Sequence, residues 1–164
     1  MGLEEQRKEI ATIRERNLAV KLSDADCRRI AEKAGRVGMT VEELIASFIG
    51  DLVGGTYTNG SDERMYAQAW FDRCGFEMMA EKTLLSWLLL SDGVGWFMQN
   101  YESKVSFEKE WLRTEDPDER EYLVEEIAMC EDELRREYDE SGSEEPYEDA
   151  VEKVVAWARR LEDM

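Results

Sequence analysis

Proline, the residue that most often breaks helices, occurs only twice in this chain, and both positions favour the start of a helix. Asp116 and Pro117 place a capping carboxylate directly before a proline, a pair typical of a helix N-terminus. Pro146 opens a segment in which apolar residues recur at helical spacing. The sequence therefore predicts a mainly α fold.

Capping signals and apolar periodicity divide the chain into about six or seven helices. Thr40 and Glu43 form a capping box ahead of an apolar stripe that runs from Leu44 to Val53. The other helices are predicted over residues 23–35, 61–74, 80–90, 96–113 and 116–140, and from residue 146 onward. Residues 103–106 are a possible interruption of the helix predicted over residues 96–113. Residues 1–16 are expected to form an N-terminal helix or a loosely ordered arm.

The segment from Asn17 to Leu22 alternates apolar and other residues, a pattern that indicates a short strand. A single strand needs a partner for its backbone donors and acceptors, so the alternative is an extended linker before ordinary core helices. A strand followed by two helices that meet at Gly38-Met39-Thr40 resembles the ribbon–helix–helix fold. This resemblance covers residues 17–53.

The resemblance implies a homodimer in which two copies pair their strands antiparallel and insert the ribbon into the major groove of DNA. Carried over by position, it implies that Asn17, Ala19 and Lys21 face the bases. It also implies that backbone N–H groups at Thr40 hold a phosphate. Residues 17–55 are accordingly expected to be a dimerisation domain, and residues 61–164 an acidic helical domain.

Charge is distributed very unevenly along the chain. The sequence has 39 acidic and 21 basic residues, a formal charge of −18. Residues 1–50 contain nine of each sign, whereas residues 115–149 contain seventeen acidic residues and three arginines. Such asymmetry suggests that the two halves have different tasks.

The predicted helix after Pro117 arranges its carboxylates in two rows, since successive residues rotate by about 100°. One row lies opposite the apolar side, within about 40°: Glu121, Glu125, Asp132 and Asp139. A second row lies on one flank: Glu119, Glu126, Glu133 and Glu137. The partner-binding residues predicted from these rows are Glu121, Glu125, Asp132, Asp139, Glu126 and Glu133.

Three interpretations of these rows remain open at the level of sequence. They form a solvated face that favours solubility, they imitate a nucleic-acid backbone and bind a basic groove, or they bind divalent cations. No DxDxDG loop accompanies them. In composition the chain is similar to small acidic helical proteins of phage, including some anti-CRISPR inhibitors.

The residues needed for common catalytic sites are missing. The chain has no histidine, which excludes His-based triads and His-ligated metals, and it has no phosphate-binding glycine motif. Cys27, Cys74 and Cys130 form no CxxC pair and are expected to be core residues. We therefore expect no enzyme, cofactor or metal site. The apolar stretch from Thr83 to Leu90 is too short to cross a membrane, so a cytoplasmic protein is expected. The likeness to anti-CRISPR inhibitors implies that the cell is bacterial or a phage-infected host.

Two functions follow from these observations. The first is a non-enzymatic inhibitor of the anti-CRISPR type, whose carboxylate rows bind a basic nucleic-acid-binding protein such as a CRISPR nuclease. The alternative is a ribbon–helix–helix repressor that binds DNA through its strand and uses the acidic half for assembly.

Overall fold

A computed structural model describes residues 3–163, without the side chains of Leu3, Glu77 and Met79. Eight α-helices and one short 3-10 helix, Phe76–Met79, make up the regular structure of this range. The α-helices are α1 Leu3–Ala11, α2 Asp24–Gly35, α3 Val41–Val53, α4 Ser61–Cys74, α5 Leu84–Leu90, α6 Val94–Trp111, α7 Pro117–Ser141 and α8 Tyr147–Asp163. They form two compact units, of which one ends at Ala80 and the other begins at Glu81. The prediction of a mainly α fold is confirmed.

The predicted strand from Asn17 to Leu22 is wrong. This segment has no regular secondary structure, and residues 3–163 contain no strand at all. Leu18, Val20 and Leu22 are exposed and pack into no sheet. Alternation over six residues describes only where side chains point, whereas a strand also requires a neighbouring backbone with which to form a ladder. The strand pairing implied by the ribbon–helix–helix resemblance is therefore not seen.

Helix α3 begins as its sequence predicts. The Thr40 hydroxyl accepts a hydrogen bond from the Glu43 N–H at 3.1 Å, and the Thr40 N–H donates to the Glu43 carboxylate at 2.8 Å. Gly54 ends the helix in the left-handed conformation, with φ at 61°, where glycine avoids the steric penalty of a side chain. The reciprocal hydrogen bonds between Thr40 and Glu43 satisfy two donors that the start of a helix otherwise leaves unpaired.

A buried carboxylate attaches the loop that follows α3 to the helix. Asp51 is 8% exposed, and it accepts hydrogen bonds from the Asn59 backbone N–H at 2.8 Å and from the Asn59 side-chain amide at 2.7 Å. The same amide donates to the Ser47 hydroxyl at 2.7 Å. The loop passes so close to Gly50 that a Cβ there would lie 2.1 Å from the Tyr57 carbonyl oxygen. Glycine is therefore required at this contact.

The second unit is a four-helix assembly with a continuous apolar core. Leu84 and Leu88 of α5, Phe97 of α6 and Leu134 of α7 are buried, together with Ala150 and Val154 of α8. Helices α6 and α7 pack along each other as a hairpin joined by residues 112–116. This arrangement presents the outer side of α7 to solvent.

The structure also tests four further expectations. Helix α6 runs without interruption through residues 103–106, and α5 begins at Leu84 rather than near Ala80. Cys130 is buried as expected, but Cys27 and Cys74 are exposed, so the prediction that they belong to a core is wrong. Within residues 3–163, no helix has the length and apolar character needed to span a membrane.

Candidate partner-binding face

Helix α7 is 25 residues long, and both of its ends have clear capping residues. The Asp116 carboxylate accepts from the Asp118 N–H at 3.0 Å, and Pro117 occupies the first turn. Gly142 ends the helix with φ at 62°. At about 1.5 Å per residue, its 25 residues extend over roughly 37 Å.

The inner side of α7 fixes the direction in which the carboxylates point. Leu123, Cys130 and Leu134 are buried at the spacing expected for one face of a helix. Burial and the nearby Glu126 carboxylate raise the pKa of the Cys130 thiol, so this cysteine stays protonated. The opposite side of the helix must then face solvent.

The four carboxylates of the first predicted row are exposed on this outer side: Glu121, Glu125, Asp132 and Asp139. We call this set the outer row. Within the described part of the chain, no hydrogen bond or ion pair occupies any of them. The outer row is therefore free to accept hydrogen bonds and cations from another molecule.

The flanking row, by contrast, is engaged by its own chain. Glu133 pairs with Arg136 at 2.7 Å, and Glu137 accepts from the indole N–H of Trp87 at 3.1 Å. Glu119 accepts from the Thr114 hydroxyl. Two of the six predicted binding residues belong to this flank: Glu126 and Glu133. Both are half-buried, which leaves the outer row as the accessible part of the predicted site.

Glu126 acts on a tyrosine at the edge of the outer row. Its negative charge, followed by burial and a hydrogen bond, raises the pKa of Tyr122. The side chains of Tyr122 and Met129 are both exposed. Met129 lies two turns beyond Tyr122, so the edge of the outer row has exposed apolar side chains beside its carboxylates.

Helix α7 carries a high density of negative charge along its axis. Residues 117–141 contain eleven acidic residues and three arginines. The net charge of −8 over roughly 37 Å corresponds to about one charge per 5 Å. A single DNA strand carries about one charge per 3.4 Å along its axis. The helix therefore has the same sign of charge as a phosphate backbone, at a lower linear density.

A cluster of charged and aromatic groups joins three helices of the second unit. Glu131 of α7 contacts Lys104 of α6 at 2.8 Å and Arg135 at 2.7 Å. The Arg135 guanidinium lies 4.1 Å from the ring centroid of Tyr147 of α8. We call these four residues the Glu131 cluster. Only the Glu131–Arg135 spacing of four residues was visible in the sequence, because Lys104 and Tyr147 are distant along the chain.

Folding shifts the pKa values of Glu131 and Tyr147 in this cluster. Burial by itself raises the pKa of Glu131, but the hydrogen bond and charge of Lys104, with Arg135, outweigh it and hold that pKa below its usual range. Burial, followed by the Glu131 charge, raises the pKa of the Tyr147 hydroxyl. These shifts belong to a structural contact between helices, and Glu131 is not part of the outer row.

The positions implied by the ribbon–helix–helix resemblance do not lie on a strand. Asn17, Ala19 and Lys21 are exposed in the segment that lacks regular structure. At Thr40 the backbone N–H already donates to the Glu43 carboxylate, which stands where a phosphate was expected. The ribbon implied at residues 17–22 is therefore not seen, whereas the phosphate contact at Thr40 stays a prediction.

No metal centre is found among the described residues. In residues 3–163, no group of three or more cysteine, aspartate or glutamate side chains is placed to hold a metal ion. One open groove of about 470 Å³ lies between α6 and α8, lined in part by Tyr101, Lys104, Glu152 and Arg159. The outer row of α7 is a row of exposed hydrogen-bond acceptors rather than a pocket.

The chain was also compared with known proteins. No protein-family model, no curated protein and no solved structure matches it. The geometry of α7 is accordingly the basis for assigning a function.

Proposed function

We propose that this chain is a non-enzymatic interaction protein whose outer row binds a basic, nucleic-acid-binding surface of another protein. The observation that carries the proposal is the contrast between the two rows of α7. The flanking row is engaged by partners within the chain, whereas the outer row is exposed and unpaired. Four carboxylates that contribute nothing to their own fold are best explained by a partner that supplies the missing cations.

The geometry supports mimicry of a nucleic acid rather than simple solubility. Like charges at a spacing of four residues destabilise a helix by a few tenths of a kcal/mol, so Glu121 and Glu125 reduce the stability of α7. A solvated face needs no such alignment, since a surface with both signs of charge interspersed is also soluble when its net charge differs from zero. A partner whose basic residues normally bind a row of phosphates would bind aligned carboxylates more tightly than scattered ones.

The class of partner follows from the charge. A groove rich in lysine and arginine attracts an anionic helix over several ångströms, and salt weakens that attraction. By the compositional likeness to anti-CRISPR inhibitors, a CRISPR nuclease is the first candidate, and the site of action would be the cytoplasm of a bacterial or phage-infected cell. The chain would inhibit such a partner by excluding its DNA or RNA.

The experiment is a displacement assay with labelled nucleic acid and a panel of purified basic proteins that includes a CRISPR nuclease. Wild-type protein should displace the labelled strand from its target, with an effect that weakens as salt rises from 50 to 200 mM. The variant E121Q/E125Q/D132N/D139N should need an at least tenfold higher concentration to displace the same amount of labelled strand. A chain that itself shifts a DNA duplex in a gel would contradict the proposal.

A matched control separates the outer row from total charge. The variant E102Q/E144Q/E152Q/E162Q also removes four exposed carboxylates but leaves α7 unchanged. Both variants have a formal charge of −14 in place of −18. The proposal requires the control to inhibit as well as wild type, and equal loss in both variants would show that only net charge matters.

A further inference from the structure

The first unit, up to Ala80, buries very little of its apolar surface. Of its residues with described side chains, only Ala34, Asp51 and Ala67 are buried, whereas the second unit has a continuous core. Burial of apolar side chains is the main favourable term in folding. A unit of this size with so few buried residues must have its apolar surface covered by something else.

The uncovered surface is contiguous and centres on α3. Along α3, Ile45, Ile49 and Val53 follow each other at intervals of four residues and form a stripe. Phe48 lies beside this stripe and contacts Trp70 of α4, with ring centroids 5.6 Å apart.

The aromatic contacts extend this surface beyond α3 and α4. Trp70 contacts Phe76 with centroids 6.2 Å apart. We call these six residues the α3 face: Ile45, Phe48, Ile49, Val53, Trp70 and Phe76. Each of them is between 40% and 69% exposed.

We propose that the α3 face is covered by a second copy of this chain, so that the protein is a homodimer held together by helices. The three aromatic side chains bury roughly 200 Å² each when fully covered, and the three aliphatic ones roughly 100 Å² each. With the exposed fractions above, the α3 face offers roughly 440 Å² of apolar area. A standard interface of about 800 Å² per partner, of which about 60% is apolar, requires a very similar amount.

Two observations favour a copy of the same chain over a different protein. The unit lacks enough buried surface to fold stably without its cover, and a second copy is present wherever the chain is made. Residues 1–80 contain fourteen acidic and eleven basic side chains, whereas the rest of the chain has a net charge of −15. Two copies can therefore meet through the first unit with little electrostatic repulsion. This proposal does not depend on the function assigned to the outer row.

The test is the mass of the full-length chain by sedimentation equilibrium between 1 and 100 μM. The dimer predicts about 38 kDa, twice the mass of one 19.1 kDa chain. The variant Ile49→Glu should shift the mass to that of the monomer, because it places a charge in the centre of the α3 face. Leu90→Glu is the control, since Leu90 is 88% exposed in the other unit, and it should remain dimeric.

A second measurement covers the case in which Ile49→Glu does not fold. The thermal midpoint of the wild-type dimer should rise by about 3–6 °C for each tenfold increase in protein concentration. A wild-type mass of 19 kDa at all concentrations, or a midpoint independent of concentration, overturns the proposal. So does a dimer that survives Ile49→Glu or is lost in Leu90→Glu.

Discussion

Neutralising two carboxylates of the outer row should make the protein more stable. In the variant E121Q/E125Q, two like-charge pairs disappear from the first half of α7: Asp118 with Glu121, and Glu121 with Glu125. No ion pair within the described residues is lost, since neither glutamate has a basic partner there. Only repulsion is removed, and the free energy of unfolding should increase.

The expected gain follows from the helical spacing. Charges about 6 Å apart repel each other by about 0.7 kcal/mol in water, and screening at 0.15 M salt halves this. Two pairs then give a gain of about 0.6 kcal/mol, which should grow to about 1 kcal/mol at 0.01 M salt. At 1 M salt the screening length falls to about 3 Å, so the gain should shrink to about 0.2 kcal/mol.

Urea unfolding of variant and wild type, compared at each salt concentration, measures this difference. The control is Glu133→Gln, which removes a carboxylate that does have a partner, Arg136 at 2.7 Å, and should bring no gain. A variant E121Q/E125Q that is less stable than wild type would refute the reasoning, because these carboxylates would then be stabilising their own chain.

The remaining predictions concern contacts that hold each unit together. Glu131→Gln should lower the free energy of unfolding by about 1–2 kcal/mol, since it leaves the half-buried ammonium of Lys104 without its closest carboxylate. Because folding lowers the pKa of Glu131 and raises that of Tyr147, the stability that they contribute is present at neutral pH. It should be lost as pH falls below 4.5 or rises above 10.0, which thermal midpoints across pH would show. Asp51→Asn should cost about 2–3 kcal/mol and speed hydrogen exchange at the Asn59 amide, because an amide donor replaces an acceptor that Asn59 uses. Unchanged exchange at Asn59 would contradict this role for Asp51.

Most helices of this chain were predictable from local signals. The capping box at Thr40 and the Asp116-Pro117 pair specify helix starts through hydrogen bonds between residues that are close in sequence. The outer row was predictable for the same reason, since the helical period alone places Glu121, Glu125 and their companions on one side.

The features that sequence could not reveal depend on contacts between distant residues. Glu131 meets Lys104 only because α6 and α7 pack together, so the spacing of charges gave no sign of that pair. The Asp51–Asn59 contact depends on the path of a loop. The error over Asn17 to Leu22 has a similar origin, because alternating residues carry no information about whether a second strand lies beside them.

The division between free and engaged carboxylates on α7 was only partly visible in the sequence. Glu133 and Arg136 lie three residues apart on one helix, a spacing that the sequence shows. The hydrogen bond from the Trp87 indole N–H to Glu137 joins α5 to α7 and depends on packing. Local spacing and packing together distinguish the row that serves the fold from the row that we propose serves a partner.

The most direct test of this account is the displacement of labelled nucleic acid from a basic partner by three proteins in parallel: wild type, the outer-row variant E121Q/E125Q/D132N/D139N and the control E102Q/E144Q/E152Q/E162Q. The account predicts that wild type and control release the labelled strand at the same concentration, whereas the outer-row variant needs at least tenfold more. Equal potency of all three proteins would contradict it, because the outer row would then make no contribution to binding.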